Sequence, residues 1–441
     1  MNKNRIFSAF FLLISILSLF TWLPGTAVAA DIEVRALHAF LADPTTGEIL
    51  FEKNADTPTS PASLTKIMTA LIAYEEADLS EYATVTQAAL DELHPESSIA
   101  GLKVGEEMSL DNLLKCILIQ SANDACNVLA IHLYGSIDAF VQRMNERATE
   151  LGCTATKFAN THGLTMAGHY TTARDIYTIT LEAMNFKSFT DVCNTASVII
   201  AETNKSPERT FLNTNHLISM LKNPDYIYYY AKGIKTGHTS DAGYCLVSSA
   251  EKNGMFLISV VMKSEQDAQT GKTMSFVDTK ELFEWGFANF KYQTMLSQKT
   301  TVGEISVRFS DSDYVSLAPD REISALLPID FNIDDVILEK ELFFEGVADA
   351  PINKGDVLGT LKVIYNGRTY GSVNLIALNS LKLDKILYYA DQAKQFFAHR
   401  WIKNLLIGLI TLIVLYAIFV IVYNSNRSRK NKNSNYGGRR R

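Results

Sequence analysis

An uncharged run of 19 residues near the C-terminus, Leu405 to Tyr423, constrains this chain more than any other feature. As an α-helix the run would be about 28 Å long, which matches the ~30 Å hydrocarbon core of a bilayer. The tail that follows, residues 424–441, carries seven Lys and Arg residues and no acidic ones. By the positive-inside rule, the tail is predicted to be cytoplasmic and the preceding chain to lie outside. A buried core helix is the less favoured alternative.

The first 29 residues have the pattern of an export signal. Lys3 and Arg5 precede an apolar run from Ile6 to Leu23, and Ala27-Val28-Ala29 forms a small-x-small cleavage site. Because 18 residues is long for a signal core, an uncleaved N-terminal anchor is an alternative. Both alternatives place the following domain outside the cytoplasm.

Charge and cysteine content exclude several classes of protein. Between the two terminal segments the chain carries 32 Lys and Arg against 48 Asp and Glu, so nucleic acid is not an expected partner. The five cysteines are an odd number without metal-ligand spacing, which is not typical of a disulfide scaffold or a metal site. Two of them, Cys116 and Cys126, lie in an apolar helical stretch and are predicted to be buried, inert thiols.

The region between the terminal segments divides into two parts by pattern. The first alternates helical stretches with hairpins, such as the strands Gly243–Ala250 and Met255–Met262 joined through Asn253-Gly254. The second consists of short β runs with turns. The predicted organisation is a signal (1–29), a mixed domain (30–291), an all-β domain (292–380), a stalk helix (381–404), a transmembrane helix (405–423) and a basic tail (424–441).

Ser63 is followed by Lys66 at the start of an apolar helical run. This spacing places the two side chains about one helical turn apart on one face. A serine hydroxyl is a weak nucleophile until a base takes its proton, and a lysine can do so only when neutral. Its pKa must then fall by roughly three pH units, or about 4 kcal/mol, through burial, the helix dipole or a second cation. Taken alone, an N-cap serine and a solvated lysine explain the pair better.

Two further polar motifs occur in apolar surroundings. Ser121 and Asn123 lie between two apolar helical segments, where a capping turn is the simpler explanation. Lys235-Thr236-Gly237 lies on or beside a predicted strand, and a glycine within a strand often marks the close approach of a ligand's backbone.

The order Ser-x-x-Lys, Ser-x-Asn, Lys-Thr-Gly within one domain resembles that of the penicillin-binding proteins and class A β-lactamases. The chain is most similar to the low-molecular-mass D-alanyl-D-alanine carboxypeptidases, over residues ~35 to ~380. The stretches that carry the resemblance are Asp43-Pro44-Thr45-Thr46-Gly47, Pro61 to Ala70, Ser121 to Ala125, His162-Gly163-Leu164, Lys235 to Thr239 and Gly243-Tyr244.

The resemblance implies an α+β fold with a β-lactamase/DD-peptidase-like antiparallel sheet between helical layers, plus a small C-terminal all-β domain. The one C-terminal transmembrane helix, predicted above from the apolar run, departs from the amphipathic C-terminal anchor that many family members carry. It implies an enzyme that removes the terminal D-alanine from peptidoglycan stem peptides and is inhibited covalently by β-lactams, with no cofactor or metal.

The resemblance also implies roles for individual residues. Ser63 attacks the carbonyl between the last two D-alanines, and Lys66 is the base. Ser121 relays the proton to the leaving D-alanine, while Asn123 holds the substrate amide and the lysine. Lys235 and Thr236 bind the terminal carboxylate, and Gly237 belongs to the same substrate-binding motif. The backbone N–H groups of Ser63 and His238 form the oxyanion hole.

Three alternatives are weaker or chemically close. A β-lactamase would have a glutamate in a Glu-x-x-Leu-Asn motif, and the nearest stretch, Glu182-Ala183-Met184-Asn185, is one residue short. A transpeptidase differs only in using an amine instead of water as the acceptor. A non-catalytic wall-binding protein is disfavoured because all three motifs are intact.

Overall fold

The computed structural model describes residues 32–95, 97–221 and 223–435. The signal predicted for residues 1–29 lies outside the described residues. The chain forms two compact units, of which unit 1 comprises the chain up to Gln293 together with Ala325–Phe331. Unit 2 comprises Thr294–Ser324 and the chain from Asn332 onward.

Unit 1 is built on a five-stranded antiparallel sheet with the strand order β2-β1-β9-β8-β7. The strands of this sheet are β1 (His38–Asp43), β2 (Glu48–Lys53), β7 (Ala231–Thr239), β8 (Gly243–Lys252) and β9 (Met255–Ser264). Four short strands form two separate two-stranded ribbons, β3 (Tyr82–Thr84) with β4 (Glu107–Ser109) and β5 (Ser197–Ile200) with β6 (Arg209–Leu212). The predicted Asn-Gly turn joins β8 to β9, with φ of 54° at Asn253 and 80° at Gly254, as a type I′ turn requires. The two edge strands of this sheet are β2 and β7.

Eight α-helices accompany the sheet in the described part of unit 1. They are α1 (Lys66–Glu76), α2 (Gln87–Asp91), α3 (Leu110–Lys115), α4 (Asn123–Tyr134), α5 (Ile137–Glu150), α6 (Ala173–Ala183), α7 (Lys187–Cys193) and α8 (Met274–Asn289).

Alternate residues of the central strands contribute to two separate hydrophobic cores. Phe40 and Val260 pack into the core that contains α1 and α3–α7. Their neighbours Leu41 and Val261 pack into the core that contains α8. Because successive strand residues point to opposite faces, both faces of the sheet are covered by helices. The predicted sheet between helical layers is therefore confirmed.

Unit 2 contains a six-stranded sheet with the order β14-β16-β17-β12-β11-β15, antiparallel except for the β11–β15 pair. The six strands of this sheet are β11 (Gly303–Arg308), β12 (Tyr314–Pro319), β14 (Ile337–Leu342), β15 (Ala348–Asp349), β16 (Val357–Tyr365) and β17 (Arg368–Ala377). The boundaries between the units fall within two further strands, β10 (Phe290–Leu296) and β13 (Ile323–Pro328). The all-β character of this region is confirmed.

Two helices complete the described part of unit 2. α9 (Lys385–Ala398) is capped by the carboxylate of Asp384, and α10 (Arg400–Asn435) contains a stretch, Arg400–Ser428, that is long and apolar enough to cross a membrane. The predicted continuous helix is interrupted at His399, where ψ is 129°. No proline or glycine marks this break in the sequence.

All five cysteines are buried and unpaired, as expected for inert core thiols. Burial raises the pKa of Cys126 to about 12, and its thiol donates to the Ala122 carbonyl at 3.3 Å. Cysteine chemistry therefore contributes no cross-link to this fold.

A loop between α5 and α6 holds the turn that precedes α1. The Thr69 hydroxyl donates to the Thr161 carbonyl at 2.6 Å, and Gly163 packs directly on the carbonyl of Ala62. A Cβ at position 163 would lie 1.8 Å from the Ala62 oxygen, and its φ of +94° is already unfavourable for other residues. Only glycine allows this approach, so the His162-Gly163-Leu164 motif has a packing reason.

Gly163→Ala is expected to lower the free energy of unfolding by about 3 kcal/mol, because overpacking adds to left-handed backbone strain. The midpoint of thermal or urea unfolding measures this cost. Gly152→Ala is the matched control, because Gly152 has a φ of +78° but open space around its Cβ position. Equal destabilisation by the two substitutions would show that the contact with Ala62 is unimportant.

Candidate active site

Ser63 lies in a single 3-10 turn, Ala62–Thr65, that runs directly into α1. Lys66, the first residue of α1, is fully buried. Its Nζ is 2.9 Å from the Ser63 Oγ, 2.8 Å from the Asn123 Oδ1 and 2.7 Å from the His162 carbonyl oxygen. These three acceptors use all three protons of an ammonium group. The spacing that predicted one face for Ser63 and Lys66 is confirmed as a direct hydrogen bond.

Burial lowers the pKa of Lys66 from its ordinary value to about 8. The negative charge of Asp124 acts in the opposite direction. With a pKa near 8, about a tenth of the molecules carry a neutral Lys66 amine at pH 7. Burial therefore makes the neutral amine, the form that can accept a proton, available near neutral pH.

Ser121 lies at a break between helices, as its sequence context predicted. A π-helical turn, Cys116–Gln120, precedes it, and α4 begins two residues later at Asn123. Ser121 itself is left-handed, with φ 63° and ψ 36°. Such a conformation is uncommon for a non-glycine residue and concentrates at functional sites, as π-turns do. Its Oγ accepts a hydrogen bond from Lys235 Nζ at 2.9 Å.

Lys235 is buried on the edge strand β7, beneath the surface of the site. Besides Ser121, its Nζ contacts the carbonyl oxygen of Thr236 at 2.8 Å. The Thr236 hydroxyl in turn donates to the Thr214 hydroxyl at 2.6 Å. Thr214 follows β6 and was not predicted as a site residue, since nothing in its local sequence distinguishes it.

Gly237 is where β7 passes the backbone of the Ser63 turn. A Cβ at this position would lie 3.0 Å from the Ser63 backbone nitrogen and 3.1 Å from the Ala62 Cβ. The predicted close approach is present at this glycine, but the approaching group is the protein's own backbone and not that of a ligand. The neighbouring His238 ring packs on Tyr244, with centroids 4.2 Å apart.

The structure brings all eight predicted residues to one place. A cleft of ≈ 300 Å³ is lined by side chains or backbone of Ser63, Ser121, Thr236, Gly237 and His238, with Thr214 and Tyr244 beside them. Lys66, Asn123 and Lys235 are buried and hydrogen-bonded to residues that line the cleft or hold it. An acyl-transfer site needs such a nucleophile, base and cation together.

A hydrogen-bond chain behind Ser63 was missed by the sequence analysis. His169 Nδ1 accepts from the Ala159 backbone N–H at 2.9 Å, so its Nε2 carries the proton and donates to the Thr65 hydroxyl at 2.8 Å. Thr65 donates to the Ala62 carbonyl at 2.9 Å. Burial lowers the pKa of His169 to about 4, which keeps this arrangement neutral. The chain supports the left-handed Ala62, whose φ is 46°.

Family comparisons agree with this geometry. A model of the peptidase S11 family, described as D-alanyl-D-alanine carboxypeptidase, matches residues 25–266. A model described as the C-terminal domain of penicillin-binding protein 5 matches residues 290–383.

Individual relatives cover most of the chain. It is 32% identical to the D-alanyl-D-alanine carboxypeptidase DacF of Bacillus subtilis, over 80% of this chain and 87% of the relative. It is 33% identical to DacA of Escherichia coli, over 83% and 87% respectively.

Solved structures show the same similarity. Penicillin-binding protein 5 from Haemophilus influenzae is 29% identical, with a TM-score of 0.59 over 80% of this chain and 99% of that one. The Streptomyces K15 DD-transpeptidase is 30% identical, with a TM-score of 0.53 over 59% and 99%. These findings support the predicted carboxypeptidase over the alternatives weighed from the sequence. The chain belongs to the peptidase S11 family of serine-type D-alanyl-D-alanine carboxypeptidases.

Proposed function

We propose that Ser63 forms the acyl-enzyme through which this carboxypeptidase removes the terminal D-alanine from peptidoglycan stem peptides. The observation that carries the proposal is the 2.9 Å hydrogen bond between the Ser63 Oγ and the buried Lys66 Nζ. Covalent catalysis by serine needs an adjacent base, and Lys66 is the titratable side chain in contact with Ser63 Oγ.

The hydrogen-bond partners of Lys66 determine whether its neutral amine presents an N–H bond or its lone pair to Ser63. A neutral amine has two N–H bonds and one lone pair. The Asn123 Oδ1 and the His162 carbonyl can only accept, so they take the two N–H bonds. The lone pair is then left for the Ser63 hydroxyl, which can donate. As Ser63 attacks the carbonyl carbon, its proton moves to Lys66 and the carbonyl oxygen becomes an oxyanion.

Backbone N–H groups of Ser63 and His238 are proposed to stabilise that oxyanion. Each such donor contributes about 3 kcal/mol in acyl-transfer enzymes. The lack of a side chain at Gly237 supports this role, because a Cβ there would lie 3.0 Å from the Ser63 backbone nitrogen and would crowd it. Both donors are backbone groups, so the path of the backbone determines where they point.

Ser121 and Asn123 are proposed to serve the leaving group and the amide. Collapse of the tetrahedral intermediate breaks the C–N bond, and the D-alanine nitrogen needs a proton. Ser121 lines the same cleft as Ser63 and can pass the proton held by Lys66 to that nitrogen. Asn123, fixed against Lys66 at 2.8 Å, orients the amine and binds the substrate amide. Water then hydrolyses the ester, and Ser63 regains its proton.

The substrate carboxylate is proposed to bind at Thr236, with Lys235 beneath it. The Thr236 hydroxyl reaches the cleft, whereas Lys235 is 1% exposed and held by Ser121 and the Thr236 carbonyl. Lys235 thus attracts the carboxylate through its charge and through the groups it orients. A transpeptidase reaction is the second candidate, because the similar K15 enzyme is described as a DD-transpeptidase. β-Lactams would acylate the same serine.

Labelled penicillin tests the nucleophile. The wild-type protein should be labelled covalently, and Ser63→Ala should abolish both labelling and release of free D-alanine from a pentapeptide. Ser197→Ala, an exposed serine on β5, is the control and should keep both. Labelling of a folded Ser63→Ala protein would refute the assignment. Labelling with transfer to an amine but no free D-alanine would favour the transpeptidase.

The rate of penicillin acylation should rise about tenfold between pH 6 and pH 7 and level off above pH 9. Lys66 must be neutral to act, and its pKa is about 8, so the active fraction grows with pH through this range. The buried His162 and His169 have pKa values lowered to about 3 and about 4 and stay neutral throughout. A rate that is constant from pH 6 to pH 9 would contradict Lys66 as the base.

We also propose that residues 1–29 export the chain and that 405–423 anchor it, with the catalytic unit outside and the basic tail inside. Support comes from the apolar stretch Arg400–Ser428 of α10, whose most apolar part is not buried, and from the seven basic residues of 424–441. The catalytic unit would then lie on the wall side of the membrane and stay permanently attached to it.

Carbonate or high-salt washing of membranes should leave the intact chain in the membrane fraction. A variant that ends at Ala398 lacks α10 and should appear in the soluble extracytoplasmic fraction. Immunoblotting of each fraction measures the distribution. Extraction of the full-length chain by carbonate would rule out a spanning helix.

A further inference from the structure

Asp124 is a buried carboxylate next to the active site, and no step proposed above uses it. It is 1% exposed and lies in the first turn of α4, directly after Asn123, whose side chain holds Lys66. Among the described residues, no Lys or Arg forms an ion pair with Asp124. A buried charge without an ion-pair partner costs free energy unless hydrogen bonds compensate it.

Backbone N–H groups compensate the charge of Asp124. Its Oδ1 accepts from the Ala100 and Ala125 N–H groups, each at 2.9 Å. Its Oδ2 accepts from the Ala100 N–H at 3.1 Å and from the Leu102 N–H at 3.0 Å. Because an ionised carboxylate only accepts hydrogen bonds, this pattern fits the charged form. Two of the three donors belong to the segment 97–102, which we call the Ser98 loop.

The Ser98 loop is bonded to the residues that precede and follow Ser121. The Ser98 carbonyl accepts from the Asn123 N–H at 2.8 Å, and the Ser98 hydroxyl donates to the Gln120 carbonyl at 2.8 Å. Ser98 and Ser121 both line the catalytic cleft, and Ser121 has a left-handed backbone. Such a conformation persists only where the surroundings fix it. The bonds of Asp124 to the loop therefore contribute to holding Ser121 in place.

The charge of Asp124 also acts on the base. Burial is the largest effect on the pKa of Lys66 and lowers it, whereas Asp124 favours the ammonium form and raises it. The amine becomes an ammonium ion when it accepts the proton of Ser63, so a fixed negative charge nearby stabilises the product of that step. The other titratable groups around Lys66 are Cys126 on α4, His162 and His169 on the loop between α5 and α6, and Lys235 on β7.

We infer that Asp124 is a positioning residue for acylation: it fixes the Ser98 loop on the turn at Ser121, and its charge stabilises the ammonium ion that the base becomes. The inference rests on the proposed function, in which Lys66 takes the proton of Ser63. Asp124 is buried and does not line the cleft, so it acts through these groups and not by contact with substrate. Anchoring of the loop alone would predict lower stability with an unchanged pH profile.

The pH profile of penicillin acylation of the full-length protein separates the charge from the loop. In Asp124→Asn the midpoint should move below the wild-type value of about 8, because the ammonium form loses a stabilising charge. The rate at pH 6 relative to that at pH 9 should rise about threefold, which corresponds to half a pH unit. The rate at pH 9 should fall about tenfold, because the proton is accepted less favourably.

Glu106→Gln is the matched control. Glu106 is a buried carboxylate that also accepts from a backbone N–H, that of Lys103 at 3.0 Å, but it is paired with Arg209. Its substitution is expected to lower the midpoint of thermal unfolding and to keep the wild-type midpoint of the pH profile.

Asp124→Glu retains the charge, but its extra methylene displaces the bonds to the Ser98 loop. It should keep the wild-type midpoint and lower the rate at pH 9. A folded Asp124→Asn protein with an unchanged or raised midpoint would overturn the inference and leave the proposed function intact. If Asp124→Asn does not fold, a shifted midpoint or a wild-type rate at pH 9 in Asp124→Glu would overturn it. A wild-type rate that does not depend on pH would reject Lys66 as the base, and with it both the proposed function and this inference.

Discussion

The hydrogen bond between the Lys66 amine and the Ser63 hydroxyl is the interaction on which the rest of the site depends. It exists because a 3-10 turn places Ser63 one turn before the start of a helix that is buried on all sides. The same burial that makes an ammonium costly also makes the neutral amine available near pH 8. Two carbonyl-type acceptors then direct the remaining lone pair to the serine. The buried start of α1 therefore both positions Lys66 beside Ser63 and lowers the pKa of its amine.

Holding that geometry requires several unfavourable backbone conformations in neighbouring segments. Ala62 and Ser121 are left-handed, and Gly163 and Gly237 each admit a backbone that any side chain would displace. Strain of this kind persists only where surrounding contacts fix it. Here the sheet edge, the loop at 157–171 and the neutral His169 chain supply those contacts. The site therefore lies where several rigid elements meet.

Much of this was predictable from sequence because the signals are local. The three short motifs, the Asn-Gly turn and the apolar runs each identified an element of the fold. Long-range partners gave no such signal: Thr214 and His169 matter only because folding brings them to Thr236 and Thr65. Burial, which the sequence analysis gave as one cause of a lowered Lys66 pKa, is the largest cause in the structure. The break at His399 likewise has no local marker.

The most direct measurement is the titration of the Lys66 Nζ itself. Protein labelled with ¹⁵N-lysine, with the Lys66 signal assigned by its loss in Lys66→Arg, reports the protonation of that nitrogen by NMR as pH is varied. The structure predicts a midpoint of about 8. A midpoint near the ordinary lysine value of about 10.4 would mean that the amine stays charged at physiological pH, and Lys66 could not be the base that activates Ser63.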